Sequence, residues 1–244
     1  MQTDTKSFEN LHTLRRELDL SSSSARERKF LSPAFYGQFL RVEDAFIRFL
    51  NGSVLDLGCG VMPYRELVPD RVTRYDGLDI APMGGTVALI GDIQDLSMIR
   101  GNSYDSVVCL EVLEHVPEPN EAVAEIARIL RHDGILILSV PHLSRLHEIP
   151  YDYYRYTEYG LRHLLEKHNL MVVELHDRGG LLTFLGHQVA TIIIALFWRH
   201  PRLWEIARWV NRWLITLPAY NLDQIGPQRK LFPTGYLVVA RKTT

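Results

Sequence analysis

From Ser53 onward, the chain alternates between short apolar runs and polar stretches in which apolar residues recur every three or four positions. The first pattern is typical of buried β-strands and the second of amphipathic helices. Short strands that alternate with helices predict an α/β domain with a doubly wound, mainly parallel sheet. The apolar runs are SVLDLG (53–58), YDGLDI (75–80), TVALIGD (86–92), YDSVVCLE (104–111), GILILSV (134–140), LMVVELH (170–176) and GYLVVARK (235–242).

Helical patterns also occur before the first strand and between the last two. Residues 32–50 have helical spacing, with Ser32 suited to the N-cap and Pro33 to the first helical position. The predicted organisation is an N-terminal helical segment (1–50), a core (51–178), a helical insertion (179–230) and a last strand (231–244). In the second helical pattern of the insertion, one face holds Leu203, Ile206, Ala207, Val210, Leu214 and Leu217.

The insertion also contains a long apolar segment, 181–198. Its uninterrupted part, 189–198, has ten residues, whereas a membrane-spanning helix needs about 20. Tryptophans and arginines on amphipathic helices suit a membrane interface. Two interpretations stay open, namely peripheral contact with a membrane or lipid, and a cap over the active site or a homodimer interface. The tryptophans and arginines are Trp198, Trp204, Trp209 and Trp213, and Arg199, Arg202, Arg208 and Arg212.

Charge and cysteine content narrow the class of protein. The net charge of −2 over 244 residues gives no broad attraction to nucleic acid, so we expect no nucleic-acid partner. The two cysteines, Cys59 and Cys109, lie in apolar runs, and the polar N-terminus has no signal-peptide core. These features predict a reduced, cytoplasmic protein. Peripheral association with the inner face of the membrane is the further option.

A glycine-rich turn follows the first strand, in VLDLGCG (54–60). Gly58 and Gly60 allow a sharp turn and close approach to a ligand, and Asp56 stands just before them. Asp79 ends the next apolar run, 19 residues after Gly60, where an acid can bind a ribose diol. Neither GxGxxG nor a phosphate-binding GxxxxGK[ST] loop is present. The pattern predicts a cofactor with a ribose and no pyrophosphate.

The ordered set VLDLGCG, LDI, GDIQDL, YDSVVCLEVLEHV and ILRHDGILILSVP resembles the class I S-adenosylmethionine-dependent methyltransferases, type 11 subgroup, over residues 53–141. The resemblance implies a Rossmann-like, seven-stranded mixed sheet with an antiparallel last strand, and S-adenosyl-L-methionine as cofactor. Met62 stands where the family often has a third glycine. The implied contacts are Asp56, Gly58 and Gly60 with the methionine end, Asp79 with the ribose, Asp92 and Ile93 with the adenine, and Glu111 beside the sulfonium. Ile80 is a further implied cofactor contact.

The string EVLEH places Glu111, Glu114 and His115 at i, i+3 and i+4. In a helical turn they would share a face and could bind Mg²⁺ or a similar divalent ion that activates a hydroxyl. The string resembles the metal site of ubiquinone-pathway O-methyltransferases and of small-RNA 2′-O-methyltransferases. A fourth ligand would come from His142, His147 or Asp152. The alternative is a turn without metal that anchors the chain before Pro117.

The stretch HEIPYDYYRYTEYG (147–160) follows the fifth strand, where ligands of open α/β sheets bind. It predicts a lid over the acceptor. Tyr151 and Tyr154 would contact the substrate, and Arg155 would bind an anionic group on it. His142 and His147 are the predicted general bases, with Asp152 orienting one of them. Alternatively, some tyrosines, such as Tyr156 and Tyr159, pack the helix that begins after Thr157.

The sequence predicts a methyltransferase that acts on oxygen. PYREL (63–67) and H-x-x-P-x-D-Y-x-R-Y-T (147–157) resemble a bacterial group found with glycan-assembly enzymes, which favours a sugar or lipid-linked glycan intermediate as acceptor. A metal-assisted O-methyltransferase of a quinone or small aromatic metabolite is the second hypothesis. A catalytically silent binding protein that keeps the cofactor fold is the third.

Overall fold

The computed structural model describes residues 24–81, 87–198, 200–225 and 228–243. Within them, seven strands form one sheet in the order β3-β2-β1-β4-β5-β7-β6, with β7 antiparallel to both neighbours. The predicted Rossmann-like mixed sheet is therefore confirmed. The strands are β1 Gly52–Leu57, β2 Val72–Asp79, β3 Leu89–Ile90, β4 Tyr104–Leu110, β5 Leu130–Pro141, β6 Leu170–Asp177 and β7 Gly235–Lys242.

The helices lie before, between and after these strands. Ser32 accepts a hydrogen bond from the Phe35 N–H and Pro33 opens α2, as predicted. The N-terminal residues 1–23 of the predicted helical segment lie outside the described residues. The helices are α1 Ala25–Arg28, α2 Pro33–Phe49, α3 Pro119–Ile129, α4 Glu158–Glu166, α5 Leu181–Phe197, α6 Pro201–Val210, α7 Leu217–Asp223 and α8 Gln228–Leu231, with 3₁₀ turns at Arg65–Leu67 and Leu113–His115 and a π-helical turn at Asn211–Thr216.

Each face of the sheet buries its own apolar cluster, because alternate strand residues point to opposite faces. Leu55 and Val107 point to the side covered by α3 and α4. Val54 and Val108 point to the side covered by α2, whose Phe39 and Phe46 are almost fully buried. Helices on both faces fix the strand ends in space, and these ends carry the candidate site.

The insertion joins β6 to β7 as α5, α6, the π-helical turn, α7 and α8. Asp223 fixes its start, since its carboxylate accepts the N–H groups of Gly180, Leu182 and Thr183 at the N-terminus of α5. On the apolar face predicted for the second helical pattern, Ala207 is buried, whereas Leu203, Ile206 and Leu214 are exposed. Among the described residues, no helix is long and apolar enough to cross a membrane.

Candidate active site at the carboxyl edge of the sheet

Six of the strands, β1 to β6, run in the same direction and end at the same edge, which we call the carboxyl edge. In open α/β sheets, ligands bind along this edge. Asp56 lies near the end of β1 and Asp79 ends β2. Glu111, His142 and Arg178 directly follow β4, β5 and β6. The edge thus collects three carboxylates, an imidazole and a guanidinium.

The glycine turn is shaped for close approach. Gly58 and Gly60 have φ of 63° and 50°, the left-handed region that favours glycine. A Cβ on Gly58 would lie 2.4 Å from a methyl carbon of Val112. The Gly60 N–H donates to the Asp79 carboxylate at 2.9 Å. A hydrogen bond therefore fixes the turn to Asp79, the acid that was predicted from its spacing of 19 residues after Gly60.

Met62 adopts the backbone conformation that a glycine would have at this position. Its φ is 52°, and its side chain is buried. The end of that side chain covers Gly77, where a Cβ would lie 2.0 Å from the methionine methyl. The departure from the family pattern at Met62 thus leaves the turn in its left-handed form.

Asp56 is buried below the turn and accepts a hydrogen bond from the Tyr75 hydroxyl at 2.8 Å. Burial, together with the nearby charge of Asp79, raises the pKa of Asp56 to about 7, although the Tyr75 hydrogen bond opposes this. A carboxylate in this setting gains from a cationic neighbour. S-adenosylmethionine carries an ammonium and a sulfonium, so the residues present at this end fit that cofactor.

Three further residues predicted to contact the cofactor, Ile80, Asp92 and Ile93, differ in exposure. Ile80, beside Asp79, is 72% exposed and offers an apolar surface, whereas Ile93 is buried in the core. Asp92 is exposed, and the Gln94 side-chain amide donates to both of its carboxylate oxygens at 3.1 and 2.9 Å. For Asp92 to accept from an adenine amino group, Gln94 has to share or leave this position.

Glu111 occupies a strained position and belongs to a polar network that the sequence did not indicate. Its φ is 57°, which is rare for a residue other than glycine. Its carboxylate accepts from the Ser139 hydroxyl at 2.9 Å and pairs with Arg178 at 2.8 Å. Gln38 of α2 donates to Ser139 and accepts from Arg178. An arginine after β6 was the available sequence signal, since β6 ends at the carboxyl edge.

The metal group predicted from EVLEH is different in the structure. The helical turn expected for Glu111 does not form, because the left-handed Glu111 precedes a 3₁₀ turn that covers only Leu113–His115. Glu111 points into the Arg178 network instead. Glu114, His115 and His147 come together, with one ligand atom of each within 4.8 Å of the others. His147 was one of the three predicted fourth ligands.

Glu114 is the unusual member of this group. It is fully buried, and neither of its carboxylate oxygens has a hydrogen-bond partner among the described residues. The Nε2 atoms of His115 and His147 each lie 3.7 Å from its Oε1. Burial raises the pKa of Glu114. A buried, unsatisfied carboxylate that faces two imidazole nitrogens fits a divalent cation.

The outer nitrogens of both histidines are held in place. His115 Nδ1 lies 2.8 Å from the Tyr151 carbonyl oxygen. His147 Nδ1 lies 3.2 Å from the Arg145 carbonyl oxygen and 3.4 Å from the Asp152 carboxylate. Since a carbonyl oxygen only accepts, the proton of His115 belongs on Nδ1 and its lone pair on Nε2, toward Glu114. His147 Nδ1 also lies 3.5 Å from Nη2 of Arg155, which only donates. Metal-binding histidines are held by such partners.

The tyrosine-rich stretch is fastened to the 3₁₀ turn by its backbone. The N–H groups of Tyr153 and Tyr154 donate to the Glu114 carbonyl at 2.9 and 3.2 Å. The Tyr154 hydroxyl donates to the Pro117 carbonyl, and the Tyr151 ring is exposed. Tyr156 is partly buried and packs against the core, whereas Tyr159, the second residue of α4, is 77% exposed. The stretch thereby brings His147 to Glu114.

The prediction that Arg155 binds an anionic group of the substrate is not supported by its contacts. Its guanidinium makes a bidentate pair with Asp152, at 2.6 and 2.7 Å, and donates to the Arg145 carbonyl. Burial alone would raise the pKa of Asp152, but the hydrogen bonds from Arg155 and the His147 N–H lower it to about 2. Arg155 therefore holds Asp152 ionised beside His147.

His142 directly follows β5 at the carboxyl edge. Its Nδ1 is 2.8 Å from the Tyr156 carbonyl oxygen, and its ring packs on Tyr236 with centroids 5.8 Å apart. The carbonyl again assigns the proton to Nδ1 and the lone pair to Nε2. His142 thus keeps a basic nitrogen, as its predicted role as general base requires.

Part of the chain is similar to known methyltransferases. Residues 55–138 match the methyltransferase domain family Methyltransf_11. Ubiquinone biosynthesis O-methyltransferases of Xanthomonas oryzae pv. oryzae and Xanthomonas axonopodis pv. citri are 32% and 31% identical over 102 residues. Each match covers 36% of this chain and 43% of the relative, so the chain spans less than half the length of these curated relatives.

Solved structures share the fold at low identity. A SAM-dependent methyltransferase from Archaeoglobus fulgidus is 18% identical with a TM-score of 0.55, covering 88% of this chain and 97% of that one. The phosphoethanolamine N-methyltransferase 2 of Haemonchus contortus, in complex with S-adenosyl-L-methionine, is 16% identical with a TM-score of 0.53, covering 87% and 54%. Residues 55–138 therefore form a methyltransferase domain of type 11, and the solved structures share the fold of the sheet around it.

Proposed function

We propose that the chain transfers the methyl group of S-adenosylmethionine to a hydroxyl oxygen, with a divalent ion held by Glu114, His115 and His147. The observation that carries this proposal is the buried carboxylate of Glu114, unsatisfied within the described residues and faced by two imidazole nitrogens at 3.7 Å. The resemblance to methyltransferases supports S-adenosylmethionine as the methyl donor. The group of Glu114, His115 and His147 supports oxygen as the acceptor atom, because a bound divalent ion would activate a hydroxyl.

The cofactor brings an activated methyl group, so the protein mainly has to align a nucleophile with it. Asp56 and Asp79 would hold its cationic and ribose parts, and Glu111, kept in place by Arg178, would line the sulfonium side. A divalent ion would hold neighbouring hydroxyls and lower the pKa of one of them. His142 would accept the hydroxyl proton at Nε2.

The kinds of ligand atom in this group also indicate which divalent metal ion it would prefer. Two imidazoles and one carboxylate suit Mn²⁺ or Zn²⁺ at least as well as Mg²⁺, which prefers oxygen ligands. We therefore propose a divalent cation and expect a transition metal to bind more tightly than Mg²⁺. Equilibrium dialysis of the purified protein with each ion alone tests this order.

For the acceptor, we propose a sugar hydroxyl on a lipid-linked or free glycan intermediate. Tyr151, Tyr153 and Tyr154 present exposed aromatic rings next to the metal group, and such rings stack well on sugars. A quinone precursor or small aromatic with adjacent hydroxyls is the second candidate, favoured by the names of the curated relatives. Two free, buried cysteines support a cytoplasmic location, which for a lipid-linked acceptor would be the inner face of the membrane.

The test uses S-adenosylmethionine labelled in its methyl group, with a lipid-linked sugar and a lipid-linked catechol as separate acceptors, with and without a chelator. Label on either acceptor that the chelator removes supports metal-assisted transfer to oxygen, and the acceptor that is labelled decides between the two candidates. Transfer that persists in chelator contradicts the metal. Cofactor binding without transfer to any hydroxyl compound would favour the silent binding protein instead.

A further inference from the structure

The helices of the insertion expose large apolar side chains in continuous stripes. On α5 the stripe members are spaced by three and four residues and are 40–63% exposed. On α6 and the π-helical turn they are 43–59% exposed. The 17 residues of α5 include no Asp, Glu, Lys or Arg. We call these two stripes the outer face; its members are Leu182, Leu185, Val189, Ile192, Leu196, Leu203, Ile206, Trp209 and Trp213.

The fully buried residues of α5, α6 and the π-helical turn are small or polar. Thr183 and Ala190 of α5 and Asn211 of the π-helical turn are completely buried. The Asn211 amide donates to the carbonyls of Leu31 and Ala190 at 3.1 and 3.4 Å. A Cβ on Gly186 would lie 3.0 Å from a carbon of Pro33. Small and polar residues inside with large apolar residues outside is the arrangement of helices packed in lipid.

The charges of the insertion match an anionic surface. Residues 181–217 contain four arginines and one glutamate. The Arg212 guanidinium lies 4.2 Å from the ring centroid of Phe30 and 4.8 Å from that of Trp213. Arginines and tryptophans at the edge of an apolar face sit at the level of lipid headgroups. Since no described helix can cross a bilayer, the helices would lie along its surface.

We propose that the outer face docks on the surface of an anionic lipid bilayer, with α5 and α6 in the plane of the interface. A second copy of the chain would also cover an apolar face, but it would not account for the small and polar interior beneath that face. Docking would bring the carboxyl edge close to the bilayer, because α5 begins three residues after Arg178 and His187 of α5 contacts Ser32 at 2.9 Å. The proposal holds whichever acceptor is methylated.

The chain contains its own reporter for this test. Its four tryptophans all lie between residues 198 and 213, so the intrinsic tryptophan fluorescence comes from the insertion alone. On mixing with phosphatidylcholine vesicles that contain phosphatidylglycerol, we expect a blue shift and quenching by brominated acyl chains. Binding should be weaker to pure phosphatidylcholine and at high salt.

The double variant Ile192→Ser/Ile206→Ser should lower vesicle affinity by on the order of tenfold or more. The matched control Met171→Ser/Val173→Ser, on the exposed part of β6, should leave it unchanged. Absence of a shift with both kinds of vesicle would overturn the proposal. So would a dimer in light scattering that Ile192→Ser/Ile206→Ser dissociates in a protein that binds no vesicles. Neither cofactor nor acceptor is present, so the result is independent of the proposed reaction.

Discussion

The carboxyl edge has two ends, and the carboxylates at these ends differ in their hydrogen bonding. At the cofactor end, Asp56 accepts from the Tyr75 hydroxyl and Asp79 accepts from the Gly60 N–H. At the acceptor end, Glu114 is completely buried, and its carboxylate accepts no hydrogen bond from the described residues. Satisfied carboxylates suit an organic ligand with donors of its own, whereas a buried, unsatisfied carboxylate is stabilised by a cation. With the proposed function, one edge would serve two kinds of ligand.

The largest effect is expected at the acceptor end, for Glu114→Gln. The amide keeps the shape of the side chain but removes the charge that an ion needs, so kcat/KM should fall about a thousandfold, equivalent to about 4 kcal/mol. Steady-state methyl transfer and the metal content after dialysis measure this. Exposed Glu118→Gln, four residues away, is the control and should change neither. Unchanged activity and metal content in Glu114→Gln would place the ion elsewhere.

Between the two ends, Arg178→Met should cost stability. It leaves the Glu111 carboxylate without its buried partner, and because the Glu111 side chain is 34% exposed, we expect about 2–3 kcal/mol, the low end for broken pairs of this kind. Urea unfolding followed by circular dichroism measures this loss. Arg178→Met/Glu111→Gln should recover part of it. A double variant no more stable than Arg178→Met would mean that the charge pair is not the cause.

At the cofactor end, Asp79→Ala should weaken S-adenosylmethionine binding about 30-fold, or about 2 kcal/mol, because a charged acceptor for the ribose is lost and the Gly60 N–H loses its partner. Titration calorimetry gives the affinity, with exposed Asp70→Asn as the control. Metal binding by the same variant should match that of the unmodified protein. A parallel loss of metal binding would show that the two ends are not independent.

The smallest effect concerns pH and Asp56. Its raised pKa of about 7 means that the carboxyl group is protonated below this pH in the free protein. A cationic cofactor favours the ionised form, so affinity should be constant above about pH 8 and fall by up to about tenfold per pH unit below about pH 7. Calorimetry across this range tests it. In Asp56→Asn the dependence should disappear; if it persists, another group is responsible.

The sequence predicted the cofactor end better than the acceptor end. Strand ends and the 19-residue spacing locate Asp79 opposite the glycine turn, because a parallel sheet brings successive strand ends together. The left-handed conformation of Glu111 cannot be read from EVLEH, and it redirects that side chain to Arg178. The Asp152 and Arg155 pair depends on how the tyrosine-rich stretch turns, which no periodic pattern encodes.

The insertion shows a second limit of sequence patterns. A helical period indicates that an apolar face exists, but it does not say which side of the helix meets the protein. The predicted face combined Leu203 and Ile206, which are exposed, with Ala207, which is buried, and it left out the buried Asn211. Only the packing of Gly186 against Pro33 and Ala219 decides which side faces inward.

The base of the insertion is a hairpin. The backbone N–H of Arg178 donates to the Gly235 carbonyl, and that of Thr234 donates to the Gly179 carbonyl, both at 3.0 Å. The ladder between β6 and β7 therefore continues to the point where the helices branch off. A segment attached in this way can be inserted, deleted or replaced during evolution without moving any strand of the sheet. Related chains that share this sheet could thus bind at different locations in the cell while catalysing the same kind of reaction.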